Sequence, residues 1–327
     1  MICSLQKQQK LLNNIDSQKK KYFHKKQKLE DHSTDCSNSS SASSSPQLLK
    51  ADSNQSLPQA KRKLIRKPQK FVLKNKIIAE GHRGAGIHMV ENTLPCFRRG
   101  IEIGLNSVEL DVWLTSDKQI VVVHGKDDDT IQLDDGSFKK INEMSFQEIT
   151  EKYTIKGEKC PLLRDVLFTC KDKVHVNIEI KGRENEMCEN VLNLVIECGM
   201  IGQVHFSSFL HYHQPLLIQA LESHNLPTNS IQFGYLIWEH KDFQTFDQIN
   251  FKGNILAFPC NFVYDEFALP YIFKAQERGM RLSTYFDFDV IENFNIYKRL
   301  YDIGVDCIIT NQPQLLVNFL KKFQKQN

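Results

Sequence analysis

No stretch of this 327-residue chain approaches the ~18 apolar residues of a membrane-spanning helix, so no transmembrane helix is expected. The opening Met1-Ile2-Cys3-Ser4-Leu5 runs directly into Gln6-Lys7-Gln8-Gln9-Lys10 without an apolar core, so no secretory leader is expected either. Cysteine occurs at nine positions, but no two form a Cys-x-x-Cys pair. An odd count without that spacing argues against a disulfide framework or a structural zinc site. The expectation is reduced thiols and a cytoplasmic location. Collagen-like and coiled-coil compositions are absent too. What is present is 41% hydrophobic, 25% charged and 10% aromatic residues, enough for a real core in one large domain or two small ones.

The net charge of +3 hides an asymmetry. Residues 1–70 carry 15 Lys and Arg against 5 Asp and Glu, leaving 27 basic against 34 acidic residues in 71–327. The first part also holds a serine-rich patch from Ser37 to Ser45 and basic clusters at Lys19–Lys21, Lys25-Lys26 and Lys61–Lys70. Its apolar content is too low to offset the entropy of ordering, so 1–70 reads as a disordered basic tail. Such a tail is a solvated extension, or one whose lysines give peripheral contact with an anionic membrane surface. The folded part is net acidic, which disfavours a polyanion groove, and no nucleic acid partner is expected.

From Phe71 onward, short β-rich runs alternate with amphipathic stretches. Strands are expected near Ile77–Glu80, Ser107–Trp113, Val174–Ile180, Gln203–Ser207, Ile231–Leu236, Asn254–Phe258, Leu282–Phe286 and Asp306–Thr310, with Ile120–Val123 returning beside the second. Helices fit Leu94–Ile103, Glu184–Cys198, His211–Ser223, Phe267–Arg278, Ile291–Tyr301 and Pro313–Phe323. Gly104, Gly199, Gly279 and Gly304 fall just past four of them, where a left-handed cap belongs. This rhythm over about 250 residues predicts a (β/α)8 TIM barrel. The competing doubly wound sheet wants Gly-x-Gly-x-x-Gly after strand one, but the chain has Gly81-His82-Arg83-Gly84-Ala85-Gly86.

On that reading, chemically capable residues collect where strands end. His82 and Arg83 follow strand one. Glu109 and Asp111 lie two apart on strand two, so both point to one side. His124 follows Val121-Val122-Val123, and Glu179 and Lys181 share a face at the end of the third main strand. Three carboxylates suit a hard cation such as Mg²⁺ or Ca²⁺. Two histidines suit acid–base work near neutral pH, and Arg83 with Lys181 suits an anionic oxygen pair. Together they point to phosphodiester cleavage. Each alone has a plainer use: a Glu-x-Asp pair is usually a solvated strand face, and Arg83 can simply pair with Glu91. Their coincidence at successive strand ends outweighs the plain readings.

These residues resemble the glycerophosphodiester phosphodiesterases. His82-Arg83-Gly84 with Glu91-Asn92-Thr93 is similar to the family's first signature, and Ser107–Val112 with Thr115-x-Asp117 to its second. Val121–His124 resembles the third, Asn177–Lys181 the fourth, and Gly304–Thr310 with Pro313 the last barrel strand. The similarity spans roughly 76–313. It implies a TIM barrel that hydrolyses glycerophosphodiesters to glycerol 3-phosphate and an alcohol with a divalent metal, through a cyclic phosphate formed by the glycerol 2-hydroxyl. Carried over by position, it implies metal ligands Glu109, Asp111 and Glu179, an acid–base pair His82 and His124, and phosphate contacts Arg83 and Lys181.

The chain departs from the family pattern twice. Gly125 stands where an Asp is usual, which leaves His124 less firmly held or Asp127, Asp128 or Asp129 to orient it instead. Thr284-Tyr285-Phe286 stands where a tryptophan is frequent. A second enzymatic reading, lysophospholipase D, needs a wide apolar mouth, for which Phe206, Phe209, Tyr235, Trp238, Phe258, Phe262 and Tyr264 are the candidates. A phosphatidylinositol-specific phospholipase C and a non-catalytic binding barrel are the remaining alternatives, the latter opposed by the intact set of polar residues.

Overall fold

The computed structural model describes residues 77–243 and 254–323. The basic, serine-rich segment 1–70 lies outside the described residues. Strands β1 (Ile78–Gly81), β2 (Ser107–Leu114), β6 (His175–Ile180), β7 (Val204–Ser208), β8 (Phe233–Leu236), β9 (Ile255–Pro259), β10 (Arg281–Tyr285) and β11 (Cys307–Thr310) run parallel. The first strand pairs with β2 on one side and β11 on the other, so the sheet closes on itself. This is a TIM barrel, and closure excludes the open doubly wound sheet. Its helices are α1 (Leu94–Ile103), α2 (Phe146–Lys152), α3 (Leu163–Cys170), α4 (Met187–Glu197), α5 (His213–Ser223), α6 (Ala268–Glu277), α7 (Phe294–Ile303) and α8 (Pro313–Phe323). Gly104, Gly199, Gly279 and Gly304 each follow a helix with positive φ, as expected.

Alternation along the strands sorts the residues. On β2, Val108, Leu110, Val112 and Leu114 join the main core, where strand and helix side chains pack between the barrel and its outer ring. Each such aliphatic side chain contributes about 1.5–3 kcal/mol by leaving water. The intervening Glu109 and Asp111 face the barrel interior and are buried there. The same parity corrects the expected apolar mouth. Phe206, Tyr235 and Phe258 are wholly buried in the main core, because each sits on the outward side of its strand. Of Thr284-Tyr285-Phe286, the flanking two also turn outward: Thr284 donates its hydroxyl to the Phe258 carbonyl, and Phe286 packs on Tyr297.

Between β2 and α3 the chain makes an excursion with its own small core. Strand β3 (Ile120–Val122) pairs antiparallel to β2, and a hairpin forms from β4 (Thr130–Gln132) and β5 (Phe138–Lys140). Trp113, Val121, Val123, Ile131, Leu133, Ile141, Met144, Ile149 and Cys160 pack together beneath it. Sequence reading places no element between Val123 and Val174, yet signals for two helices are there. Ser145 caps α2 by accepting from the Glu148 amide, and Leu163, Val166, Leu167 and Cys170 of α3 follow helical spacing.

Candidate active site

The residues singled out on β1, β2 and β6 meet at the C-terminal end of the barrel. Parallel pairing sets Asp111 directly beside Glu179 and Glu109 beside Asn177. One carboxylate oxygen from each of Glu109, Asp111 and Glu179 lies within 4.8 Å of the others. Burial raises the Glu109 carboxyl well above the usual carboxylate range, and the neighbouring charges of Asp111 and Glu179 push the same way. Burial also raises Glu179, against the pull of Lys181. For Asp111 burial is overcome by Lys181, His124 and Arg83, which hold it well below its ordinary value.

Two cations face these acids. Lys181 Nζ lies 2.6 Å from Glu179 and 3.4 Å from Asp111, and the two carboxylates outweigh burial to keep it protonated. Arg83 Nη1 is 2.9 Å from Glu91, the plainer pairing noted above, and its Nε is 3.6 Å from Asp111. Arg83 takes a left-handed φ of 52°, unusual for a residue with a side chain. Its backbone is held on both sides: the amide donates to Glu109 Oε2 at 2.8 Å, and the carbonyl accepts from the Asn92 amide and Cys96 thiol. Asn92 in turn donates its Nδ2 to Asp111 Oδ2 at 2.8 Å. Within the Glu-Asn-Thr signature it is therefore the residue that fixes the Asp111 carboxylate, a role that its position in sequence does not disclose.

Both histidines are presented with Nδ1 engaged. His82 Nδ1 is 2.6 Å from Asn311 Oδ1, and burial, together with the positive Arg83, lowers the ring to about 3. His124 Nδ1 donates to the Gly125 carbonyl at 2.9 Å, and its Nε2 is 3.5 Å from Lys181 Nζ. Burial lowers His124 as well, against the attraction of Asp111. Of the alternatives expected to orient His124, Asp128 accepts from Thr130 and Asp129 pairs with Arg183, while the bond from His124 Nδ1 goes to the Gly125 carbonyl and not to Asp127. A carbonyl holds the ring instead, and Trp113 Nε1 steadies the neighbouring peptide through the His124 carbonyl. Gly125 has φ of 69°, and a Cβ there would lie 3.2 Å from both Trp113 and Ile141. The left-handed backbone and the small core of the excursion thus disfavour a side chain at that position.

Sequence reasoning missed an aromatic contact at the site. Phe288, in the loop after β10, stacks on His82 with centroids 5.1 Å apart and lies 4.9 Å from the Arg83 guanidinium carbon. No periodic signal marks it, because loop residues carry none. Phe209 lies 5.5 Å from Lys181 Nζ and meets Trp238 and Tyr285 edge-on.

The donor set tests whether a metal and an anion fit. Glu109 Oε1 is buried without a hydrogen-bond partner, and so is Arg83 Nε. An orphaned acceptor and an orphaned donor in residues bonded to one another suit a cation and an anionic oxygen. Hard oxygen ligands favour Mg²⁺ or Ca²⁺ over soft metals.

Comparison with known proteins agrees with this geometry. The pattern of the glycerophosphoryl diester phosphodiesterase family matches residues 82–315. The chain is 26% identical over 264 residues to a glycerophosphodiester phosphodiesterase of Caldanaerobacter subterraneus, covering 76% of this chain and 99% of that one. It superposes on the crystal structure of a Thermotoga maritima glycerophosphodiester phosphodiesterase with a TM-score of 0.59 at 27% identity, covering 74% of this chain and 97% of that one. A shorter match, 29% over 143 residues, reaches the human lysophospholipase D GDPD1, covering 40% of this chain and 43% of that protein. With its barrel, its buried acid triad and a family match across most of its length, the chain belongs to the glycerophosphodiester phosphodiesterase family.

Proposed function

We propose that this chain hydrolyses glycerophosphodiesters to glycerol 3-phosphate and an alcohol, with Glu109, Asp111 and Glu179 holding Mg²⁺ or Ca²⁺. The observation that carries the reading is the buried, unpartnered Glu109 Oε1 within a triad of carboxylate oxygens no more than 4.8 Å apart. When bound, the cation supplies Lewis-acid stabilisation of charge on the phosphoryl group. Arg83 and Lys181 contact the phosphate and balance its charge. One imidazole takes the proton of the glycerol 2-hydroxyl at Nε2 as that oxygen attacks phosphorus. The other, protonated, delivers a proton to the departing alcohol. Water then opens the cyclic phosphate with the roles reversed. With Nδ1 of both rings engaged, the transfers fall to Nε2 of His82 and His124, the acid carrying a proton on both nitrogens and the base on Nδ1 alone.

The test is release of glycerol 3-phosphate from glycerophosphocholine, glycerophosphoethanolamine and glycerophosphoinositol, with and without either ion. Metal-dependent release, reduced by about 100-fold or more in His82→Ala, is the expected result. No release from any diester with either ion would leave a binding barrel instead.

The rim favours lysophospholipase D as the second reading. Trp238, Tyr264 and Phe288 stand 58%, 59% and 54% exposed in the segments that follow β8, β9 and β10. Choline release from lysophosphatidylcholine in excess of that from glycerophosphocholine would establish it. As for location, the seven described cysteines are all free and buried, and no described helix is long and apolar enough to cross a membrane. Burial lifts the Cys160, Cys170 and Cys188 thiols to about 12, so they stay protonated and unreactive. Reduced thiols of this kind support a cytoplasmic setting.

A further inference from the structure

Behind His82 lies a chain of hydrogen bonds that runs through Asn311 to Glu292. Asn311 follows the last barrel strand, and its side chain is used at both ends. Nδ2 donates to the Phe286 carbonyl at 3.0 Å, while Oδ1 faces His82 Nδ1 at 2.6 Å. A carbonyl can only accept, so the amide NH2 is committed to Phe286 and the Oδ1 end is left for the histidine. Oδ1 is itself only an acceptor. The proton between the two residues therefore sits on His82 Nδ1, and the ring's lone pair sits on Nε2.

Asn311 is in turn clamped. Its backbone amide donates to Glu292 Oε1 at 2.6 Å, and its carbonyl accepts from the Ile87 amide at 3.1 Å. Glu292 lies just before α7 and is 7% exposed. Its other oxygen accepts from Tyr297 Oη at 2.5 Å and from the Thr310 hydroxyl. The strand end and the loop bearing His82 are also joined directly, since His82 donates its backbone amide to the Thr310 carbonyl at 3.0 Å. Gly86 makes this approach feasible, because a Cβ there would come within 2.3 Å of the Asn311 carbonyl oxygen. Phe288 covers the ring.

We propose that Glu292 and Asn311 are positioning residues that hold His82 with its proton on Nδ1, keeping Nε2 available to the substrate. The proposal deepens the phosphodiesterase reading and rests on it. An imidazole with its proton on Nε2 could not accept one from the glycerol hydroxyl there. An amide, unlike a carboxylate, fixes the tautomer without adding a negative charge that would draw the ring towards imidazolium.

The test is ¹⁵N NMR of the histidine-labelled full chain in Mg²⁺, with the His82 signals identified by their loss in His82→Gln. The parent should show a protonated Nδ1 and an unprotonated Nε2. Asn311→Leu should move the ring to a mixture of tautomers and lower kcat by about 100-fold with KM changed only a few-fold. Asn311→Asp keeps an acceptor and should recover protonation at Nδ1, with kcat above that of Asn311→Leu but below the parent, because the carboxylate draws the ring towards imidazolium. Glu292→Leu should cause the same drift with a loss of about 10-fold. A parent ring protonated on Nε2 would overturn the proposal, as would Asn311→Leu that loses thermal stability but keeps both tautomer and kcat. If Asn311→Leu does not fold, the parent and Asn311→Asp spectra still decide. If the parent releases no glycerol 3-phosphate from any diester, the phosphodiesterase reading fails, while the spectrum still reports the tautomer by itself.

Discussion

At the floor of the barrel, where the strands begin, Glu80, His175, His205, Arg281 and Cys307 form a polar layer. At the mouth, where the strands end, Glu109, Asp111, Glu179 and Lys181 form another. The floor is closed on itself. Glu80 accepts from Asn177 Nδ2 at 2.9 Å, Asn177 accepts from the Ser207 hydroxyl at 2.8 Å, and Arg281 donates to Gln232 at 3.0 Å. His175 and His205 are hydrogen-bonded to each other at 3.0 Å and stacked at 5.2 Å. The mouth instead crowds three acids together and leaves Glu109 Oε1 and Arg83 Nε unsatisfied. Polarity inside a barrel is therefore not the mark of a site. What sets the mouth apart is the convergence of three carboxylates with an unsatisfied acceptor among them, because burying it costs stability that a ligand can return.

That contrast is sharpest in Glu109→Gln. Its amide oxygen can still accept from the Arg83 amide, but one of the three carboxylates proposed to hold the metal is gone. Diester hydrolysis should fall by about 1,000-fold or more. Thermal unfolding of the metal-free protein should not move down, since like-charge crowding is relieved. A lowered midpoint there would mean that the mouth, too, is built for stability. Glu80→Ala is the converse at the floor. It strands the Asn177 amide and should cost about 1–3 kcal/mol in denaturant unfolding, with kcat changed only a few-fold.

Gly125→Asp, which would restore the residue usual at that position, should destabilise by about 1–2 kcal/mol and not raise activity. The left-handed φ and the contacts with Trp113 and Ile141 oppose any side chain. Enhanced turnover in that variant would show that the Gly125 carbonyl holds His124 poorly.

The smallest effect is on pH dependence, where the floor histidines and the two mouth glutamates act oppositely. Burial, with the positive Arg281 nearby, lowers His175 from 6.5 to about 4, and burial beside His175 lowers His205 further. The folded state then binds fewer protons than the unfolded one below pH 6.5. The stability contributed by these neutral rings is full above 6.5 and is lost as pH falls towards 4. Glu109 and Glu179 are raised, so in metal-free protein they take up protons on folding and favour the folded state as pH falls through their range. Replacing His175 and His205 together by Gln should flatten the decline of the thermal midpoint between pH 6.5 and 4. An unchanged decline would place the acid sensitivity elsewhere.

Much of this molecule can be read directly from its residues. The helices Leu94–Ile103 and Pro313–Phe323 have the predicted bounds, because proline in the first turn and clear amphipathic spacing mark them. The seven candidate site residues are each visible as polar residues within or just after β-rich runs, Glu109 and Asp111 inside β2 and the others at or past a strand end. The aromatic mouth was harder to read, since Phe206, Tyr235 and Phe258 differ from rim residues only in which side of a strand they occupy. The excursion between β2 and α3 was missed despite its capping serine, because its strands and first helix are short and its core is small.

Local pattern determined the alternation of strands and helices, the inward pairing of Glu109 with Asp111, and the kinds of chemistry on offer, because period and residue type act over a few neighbouring positions. Only tertiary structure decided that β1 would meet β11 and close the barrel, that Asn92 would hold Asp111, and that Glu292 and Asn311 would stand behind His82. Those contacts join segments up to 229 positions apart, and no periodicity of a chain specifies which distant polar atom a buried donor will find.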